Sequence, residues 1–422
     1  MTARSSRMIV CMGVALMTAL LLHHSAAAQT RLQPPSTPIP ESYFGLHIHH
    51  VEYSGWPPVE FGAIRLWDSF AKWYELEPKK GQWNWQSLDR EVNTAQEHHA
   101  QVLLTLASTP TWASARANEV PTSAQAGNIA EPKDLNDWRD FVRTVATRYK
   151  GRIQGYEIWN EPNSHDFFSG KPETLVTMAK EAYKILHEVD PSVIVVSPPV
   201  AGSHVDYLDS YLRAGGGEYC DVIGYHFYVS PDAPETMPSW IEKVKAVMAK
   251  NGQGKKPLWD TEVGYYVQSA DREVKPSGPF IVLTYEQHAA YISRAYILNW
   301  AAGVSRLYWY AWDNGYEGLA DNYGKKLKPS AEAYDHTAQW LTGAIMKSCG
   351  SDSSDTWVCE LTRPGQYGAH IVWNPKGTRS FAIPPSWNAR WQQNLNAPAR
   401  NVSGAKETEI GIKPILLENK AK

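Results

Sequence analysis

The feature that most constrains this chain is an eightfold alternation of short apolar runs with stretches of helical spacing. The runs occupy residues 43–50, 62–67, 101–107, 153–159, 193–198, 222–228, 257–263 and 306–312. Between them, helical periodicity covers 88–98, 135–150, 172–189, 205–214, 237–251 and 284–299. Pro172 and Glu173 open one of these stretches with a proline and an acid in the first turn, as helix starts favour. The first helix is the poorest match, because 53–61 is short and holds Pro57 and Pro58. Strands that alternate with helices pair in parallel, and eight such repeats close a sheet on itself, so the expected fold class is α/β, a (β/α)8 TIM barrel. An open doubly wound sheet would need a glycine-rich phosphate turn after its first strand, which the chain lacks. A helix over 331–346 should end the barrel. Beyond it, 357–361, 368–373 and 379–383 alternate like short strands, and 402–415 adds more, which predicts a small C-terminal β-domain. The expected organisation is a leader over 1–28, a barrel over 41–346 and the β-domain over 347–422.

The leader is read from charge and apolar length. Arg4 and Arg7 precede an apolar run over 8–22, and Ser25-Ala26-Ala27-Ala28 supplies small residues for cleavage. That run is shorter than the roughly 20 residues a bilayer span takes, and it has the layout of a signal peptide. Cleavage near Ala28 and a secreted or periplasmic location are expected, with no membrane anchor afterwards. Cys11 is lost with the leader, leaving Cys220, Cys349 and Cys359. In an oxidising compartment the close pair Cys349 and Cys359 can staple a short loop, and Cys220, just before an apolar run, reads as a buried free thiol. Without a CxxC spacing there is no thiolate metal site.

Charge excludes further classes. Lys and Arg total 41 against 44 Asp and Glu, so no basic surplus exists to hold a nucleic acid or an anionic leaflet. The 18 Trp and 22 Tyr outnumber 9 Phe. Rings with polar tips stack on sugar faces while hydrogen-bonding, although large barrels also use Trp as core filler.

Barrel active sites lie at the carboxyl ends of the strands. Two carboxylates stand there. Glu161 ends the fourth run in Tyr156-Glu157-Ile158-Trp159-Asn160-Glu161-Pro162, and Pro162 blocks further ladder pairing. Glu262 ends the seventh in Trp259-Asp260-Thr261-Glu262-Val263-Gly264. Strands four and seven face each other across an eight-stranded barrel, and glycosidic hydrolysis needs a facing pair of carboxyls.

These residues resemble a known group. Trp159-Asn160-Glu161-Pro162, with Glu262 on a later apolar strand, is similar to clan A of the retaining glycoside hydrolases, and the form Tyr-Glu-Ile-Trp-Asn-Glu-Pro-Asn resembles family 39 and its bacterial exopolysaccharide-hydrolase relatives. The resemblance covers roughly residues 41–345. It implies an enzyme acting on an oligo- or polysaccharide without cofactor or metal, with Glu161 as acid/base, Glu262 as nucleophile and Asn160 bonded to the sugar 2-hydroxyl. Asn160 and Glu161 are neighbours, so both can serve only if the strand end is irregular. A tyrosine donating to the nucleophile is also implied, which fits Tyr228.

Placement suggests the rest. Arg65, ending the second strand, would hold Glu262 ionised, or else pair with Asp68. His226 shares a face with Tyr228 and would line the pocket. Trp312, ending the eighth strand, would be the platform under the sugar, and Trp112 in the long loop after strand three a second one. Proximity to Arg65 and Tyr228 should lower the pKa of Glu262, while an apolar pocket beside Trp159 or Trp312 should raise that of Glu161. Glu157 lies deeper and reads as a buried, hydrogen-bonded carboxylate; Asp260 is the rival nucleophile. Two other classes compete. His47 and His49 on one face at the end of strand one could open the metal site of an amidohydrolase-type barrel. That site needs a Lys on strand four or a His on strand five, and neither is present, so both histidines are assigned to the sugar pocket. A non-catalytic sugar-binding barrel would not need both glutamates, the Asn, the Arg and the Tyr. Long loops over 109–132, 264–280 and 313–328 wall a pocket or line a groove.

Overall fold

The structure is a computed structural model and describes residues 29–121, 125–270, 273–276 and 278–420. The leader expected over 1–28 lies outside the described residues.

Strand β1 (Arg31–Leu32) precedes the barrel. The barrel strands follow as β2 (Phe44–Leu46), β3 (Ala63–Leu66), β4 (Gln101–Leu106), β5 (Gly155–Ile158), β6 (Ile194–Val196), β7 (Val200–Ala201), β8 (Ile223–His226), β9 (Leu258–Val263) and β10 (Arg306–Trp309). Each of the eight apolar runs contains one of them, the fifth run being followed by the short β7. They pair in parallel in the order β6-β5-β4-β3-β2-β10-β9-β8-β7. A bridge between Val196 and Val222, with Asp221 N donating to Val195 O, joins the two sides and closes the barrel.

The interior is filled in layers, as inward residues of alternate strands must do in a closed sheet. The lowest layer holds Ala63, Leu103, Val196, Val222, Trp259 and Tyr308. Its two large rings need space, and Gly45 provides it: a Cβ there would stand 2.4 Å from Tyr308 Cδ1. Above this layer the interior turns polar, with Arg65, Thr105, Glu157 and His226 all buried. The pattern of strand runs therefore carries the site at its upper end.

Helices α1 (Val51–Ser54), α2 (Trp73–Leu76), α3 (Gln86–Glu97), α4 (Leu135–Arg148), α5 (Pro172–Val189), α6 (Val205–Arg213), α7 (Met237–Lys250), α8 (Tyr285–Ala301) and α9 (Pro329–Leu341) surround the barrel. The expected helix over 53–61 is reduced to the single turn of α1, since Pro57 and Pro58 cannot continue it. The expected helix over 331–346 ends at Leu341, where Gly343 at φ +77° turns the chain. Residues 345 and 346 already belong to the next sheet, because β11 (Ile345–Ser351) begins there.

The chain continues through β12 (Trp357–Arg363), β13 (Tyr367–Trp373), β14 (Arg379–Ala382), β15 (Trp391–Asn394), β16 (Ala397–Asn401), β17 (Glu407–Ile410) and β18 (Ile415–Glu418). Seven strands run β1-β11-β12-β13-β18-β15-β16, and β14 pairs with β17 separately. The segment before the barrel thus gives its strand β1 to the C-terminal sheet, where Arg31 and Leu32 pair with Gly350 and Cys349. Cys349 and Cys359 face each other across β11 and β12 and are disulfide-bonded, and Cys220 is a buried free thiol that burial pushes up to about 12. The sheet is not a loose appendage. Trp373 Nε1 and Arg294 Nη1 both donate to Glu235 Oε1, at 2.8 and 3.1 Å, and Trp340 Nε1 donates to Gln393 Oε1 at 2.9 Å. One apolar core runs from the barrel helices into this sheet, which is why α8 is buried almost all round.

Gly45→Ala should force Tyr308 out of its rotamer. Overpacking a filled layer costs about 1–3 kcal/mol, so a melting temperature several degrees lower is expected by calorimetry, and an unchanged one would contradict this account of the layer.

Candidate active site

A cleft of 1020 Å³ opens at the carboxyl ends of the barrel strands, with Asn160, Glu161, Tyr228, Glu262, Tyr310 and Glu317 in its wall. Both strand-end glutamates reach it through irregular backbone. β5 stops at Ile158, and Trp159 and Glu161 then adopt left-handed φ values of 66° and 40°. Such values are costly for residues with a Cβ. Trp159 Nε1 donating to Phe167 O at 2.8 Å holds the turn, and Asn160 and Glu161 both face the cavity. On β9 the register against β10 shifts between Leu307 and Trp309, paired with Asp260 and Val263. Thr261 and Glu262 thus stand opposite Tyr308 alone. A bulge of this kind re-aims side chains, and here Glu262 enters the cleft although Thr261 beside it also points inward to His226.

Arg65 ties the cleft floor together. Its Nη1 donates to Glu262 Oε2 at 2.8 Å, its Nε and Nη2 to Glu157 Oε2 at 2.8 and 2.5 Å, and Nη2 also to Asn160 Oδ1 at 2.7 Å. Thr105 Oγ1 donates to the same Glu157 oxygen at 2.8 Å, so Glu157 is the buried, hydrogen-bonded carboxylate that its depth suggested. Arg65 does not pair with Asp68. That carboxylate takes Lys72 Nζ and Tyr310 Oη instead, both at 2.8 Å. Tyr228 Oη donates to the other oxygen of Glu262 at 3.0 Å.

Glu161 Oε1 lies 2.7 Å from His226 Nδ1, and His226 Nε2 lies 3.1 Å from Thr261 Oγ1. His226 is fully buried and stands behind Glu161, so it meets the acid and not the pocket surface. Burial drops its pKa to about 4, which leaves the ring neutral around pH 7. Desolvation raises Glu161 to about 7, with Arg65 opposing and Asp68 assisting. Glu262 departs from expectation: it is raised too, because burial outweighs the pull of His226 and Arg65. Oxygens of Glu161 and Glu262 and a ring nitrogen of His226 all lie within 4.8 Å of one another. Asp260 is turned out of the cleft. Its Oδ1 accepts from Phe227 N at 3.3 Å, and burial pushes its carboxyl well above the usual range.

Besides His226, four aromatic or imidazole residues are not where they were expected. Trp312 is fully buried, its indole capped by Gly324 of the loop after β10, and Tyr310 takes the cleft position instead. The reason is that β10 ends at Trp309, so Trp312 lies beyond the strand end at which it was placed. Trp112 packs edge-on against Trp73 and donates to Glu77 O at 2.9 Å, away from the central cleft. His47 is buried in the barrel with Nε2 3.1 Å from Thr261 O. The His49 ring packs against Tyr310 with centroids 4.9 Å apart, and its backbone N–H donates to Asp313 Oδ1 at 2.8 Å. Neither histidine joins a group of three convergent metal-ligand side chains among the described residues.

Sequence reasoning missed Glu317. It sits in the 313–328 loop, where Asn314 Oδ1 caps the N–H groups of Tyr316 and Glu317 at 2.7 and 3.2 Å. Burial and the two other glutamates raise it to about 8. A search limited to strand ends could not reach it, although the Asn314-Gly315 turn marks a loop folded tightly enough to aim a carboxyl.

Comparison with known proteins follows the same line. The sequence profile of Glycosyl hydrolases family 39 matches residues 64–297. A beta-xylosidase from Geobacillus stearothermophilus is 24% identical over 162 residues, 32% of this chain and 32% of that protein, so the match spans about a third of its length. A family 39 glycoside hydrolase from the gut symbiont Bacteroides cellulosilyticus WH2 superposes with a TM-score of 0.70 at 18% identity, covering 91% of this chain and 81% of that one. A family 39 beta-xylosidase from Caulobacter crescentus gives 0.61 at 16%, covering 93% and 98%. At such identities the two solved structures share the barrel with its β-domain.

Arg65→Met strands Glu157 and Glu262 without their cation. Removing one partner of a buried pair costs about 3–5 kcal/mol, and chemical denaturation should show it. Adding Glu157→Leu should recover part of that loss; no recovery would mean Glu157 is not the uncompensated charge.

Proposed function

The chain belongs to glycosyl hydrolases family 39, and from that premise we propose that it cleaves O-glycosidic bonds of an oligo- or polysaccharide by retaining double displacement. Glu161 is the acid/base and Glu262 the nucleophile. The observation that carries this reading is the approach of one carboxylate oxygen of each to within 4.8 Å across one cleft. A retaining pair stands about 5–5.5 Å apart, whereas an inverting pair leaves about 6.5–9.5 Å for a water.

In the first step Glu161 passes its proton to the glycosidic oxygen as the bond to C1 breaks, and a Glu262 oxygen bonds C1. In the second, Glu161 takes a proton from water as that water displaces Glu262. Arg65 and Tyr228 stabilise the carboxylate that attacks and then leaves, and Asn160 meets the sugar hydroxyl beside C1 with an amide oriented by Arg65. Two glutamates this close titrate as a pair, so one proton between them is the working state near neutral pH. Xylose-terminated oligosaccharides are the first substrates to try, given the relatives named beta-xylosidase. The leader over 1–28 directs the protein out of the cytosol, and the Cys349–Cys359 bond suits an oxidising compartment.

Product NMR should show the first-formed anomer retained; an inverted anomer removes Glu262 as nucleophile. Glu161→Gln should slow hydrolysis of poor leaving groups by roughly 10²–10⁴-fold, and Glu262→Gln should leave no glycosyl-enzyme detectable by mass spectrometry.

The acid form of Glu161 exists below its pKa of about 7. Hydrolysis of a substrate with a poor leaving group should therefore decline as pH rises past that value. A basic limb that stays in place in Glu161→Gln would assign it to another group.

A further inference from the structure

Glu161 heads a three-membered chain whose other two members the proposed mechanism does not use: Glu161 Oε1, the two nitrogens of His226, and Thr261 Oγ1, at 2.7 and 3.1 Å. His226 is completely enclosed, and a neutral imidazole carries one N–H for two nitrogens. Whichever nitrogen holds it fixes what Glu161 meets. With the hydrogen on Nε2, donated to Thr261, Nδ1 presents a lone pair and accepts from a protonated Glu161. With the hydrogen on Nδ1, the ring donates to Glu161 and favours the carboxylate.

We infer that Thr261 is a positioning residue: its hydroxyl accepts from His226 Nε2 and so keeps the ring in the tautomer that holds the proton on Glu161. The inference rests on the acid/base reading of Glu161. Burying an N–H with no acceptor costs more than burying a lone pair that lacks a donor. A side chain without oxygen at 261 would therefore shift the hydrogen to Nδ1.

The bias serves both half-reactions. Once Glu161 has given its proton to the leaving oxygen, its carboxylate faces the Nδ1 lone pair, which makes it a stronger base toward the incoming water. The ring itself exchanges no proton with the substrate. Other groups act on Glu161 as well: Arg65 and Asp68 from the β3 side, Tyr228 beyond β8, Glu262 on β9 and Glu317 from the loop after β10. Glu262, Arg65 and Glu157 also act on the ring, but the hydrogen-bond partner of His226 Nε2 is Thr261 Oγ1, so a change at Thr261 acts on the tautomer through that contact.

The test uses the full chain labelled with ¹⁵N-histidine, with His226→Gln supplying the assignment. Wild type should show His226 protonated on Nε2, Thr261→Val should show it on Nδ1, and Thr261→Ser should resemble wild type. In Thr261→Val the basic limb for poor leaving groups should move down by about one pH unit, lowering the rate near pH 7 about fivefold, as a one-unit drop in an acid poised there requires. Thr261→Ser should restore the limb. An Nδ1–H ring in wild type overturns the inference, even if Thr261→Val fails to fold. A folded Thr261→Val with an unmoved limb overturns it too. If Glu161→Gln hydrolyses normally while the Nε2–H tautomer is observed, the acid/base reading fails and the proton placement stands.

Discussion

The site depends on a single buried cation. Arg65 has no exposed side-chain surface, and its fork reaches Glu157, Glu262 and Asn160, which arrive from two other strands. Taking a guanidinium and two carboxylates out of water is expensive, and only complete, well-aimed hydrogen bonding offsets it. One positive charge cannot compensate two carboxylates and also neutralise Glu161 and Glu317 nearby. Burial is the main reason both Glu161 and Glu317 hold their protons unusually tightly, with Asp68 adding to it at Glu161 and the two other glutamates at Glu317, and it is why Glu262, although salt-bridged, is raised and not lowered. Reading pKa from the nearest partner alone gave the wrong sign for Glu262, because burial was not legible from the sequence.

Periodicity made the barrel legible. Each apolar run contains a strand, and the resemblance at Trp159-Asn160-Glu161-Pro162 pointed to the right cleft. What escaped was whatever depends on departures from regular geometry. The left-handed turn at Trp159 and Glu161 was required by the need for both Asn160 and Glu161 to face one cavity. The bulge at Thr261 and Glu262 was not foreseen, which left Asp260 standing as a rival nucleophile. Trp312 was misplaced because its strand ends three residues earlier. Trp112, His47 and His49 are residue types that suit a sugar pocket and equally suit a core, and packing decided against the pocket. Residues 345–346 read as helix because apolar spacing continues past Leu341, and only Gly343 marks the stop.

Both catalytic candidates therefore sit where the sheet breaks its own rules, one at a strained turn and one at a bulge. Sequences agree with their folds at most positions, and disagreement concentrates where chemistry needs side chains in unnatural company. Two neighbours, Asn160 with Glu161 and Thr261 with Glu262, point the same way against strand alternation. Each pair supplies one carboxyl and one neutral polar group, so a broken ladder doubles the polar atoms that a narrow barrel mouth can gather.

The pairing of Arg31 and Leu32 with Gly350 and Cys349 has a consequence for how this architecture can be divided. The barrel is threaded between the edge strand of the second sheet and the rest of that sheet, like a hand between a cuff and its button. Ribosomal synthesis delivers the edge strand first and its mate only after the whole barrel has emerged. Closing so distant a contact is slow unless the intervening chain is already compact. The barrel thus lies in sequence between the two parts of the second sheet, and that sheet cannot be transplanted as residues 345–418 alone without leaving β11 as an open edge.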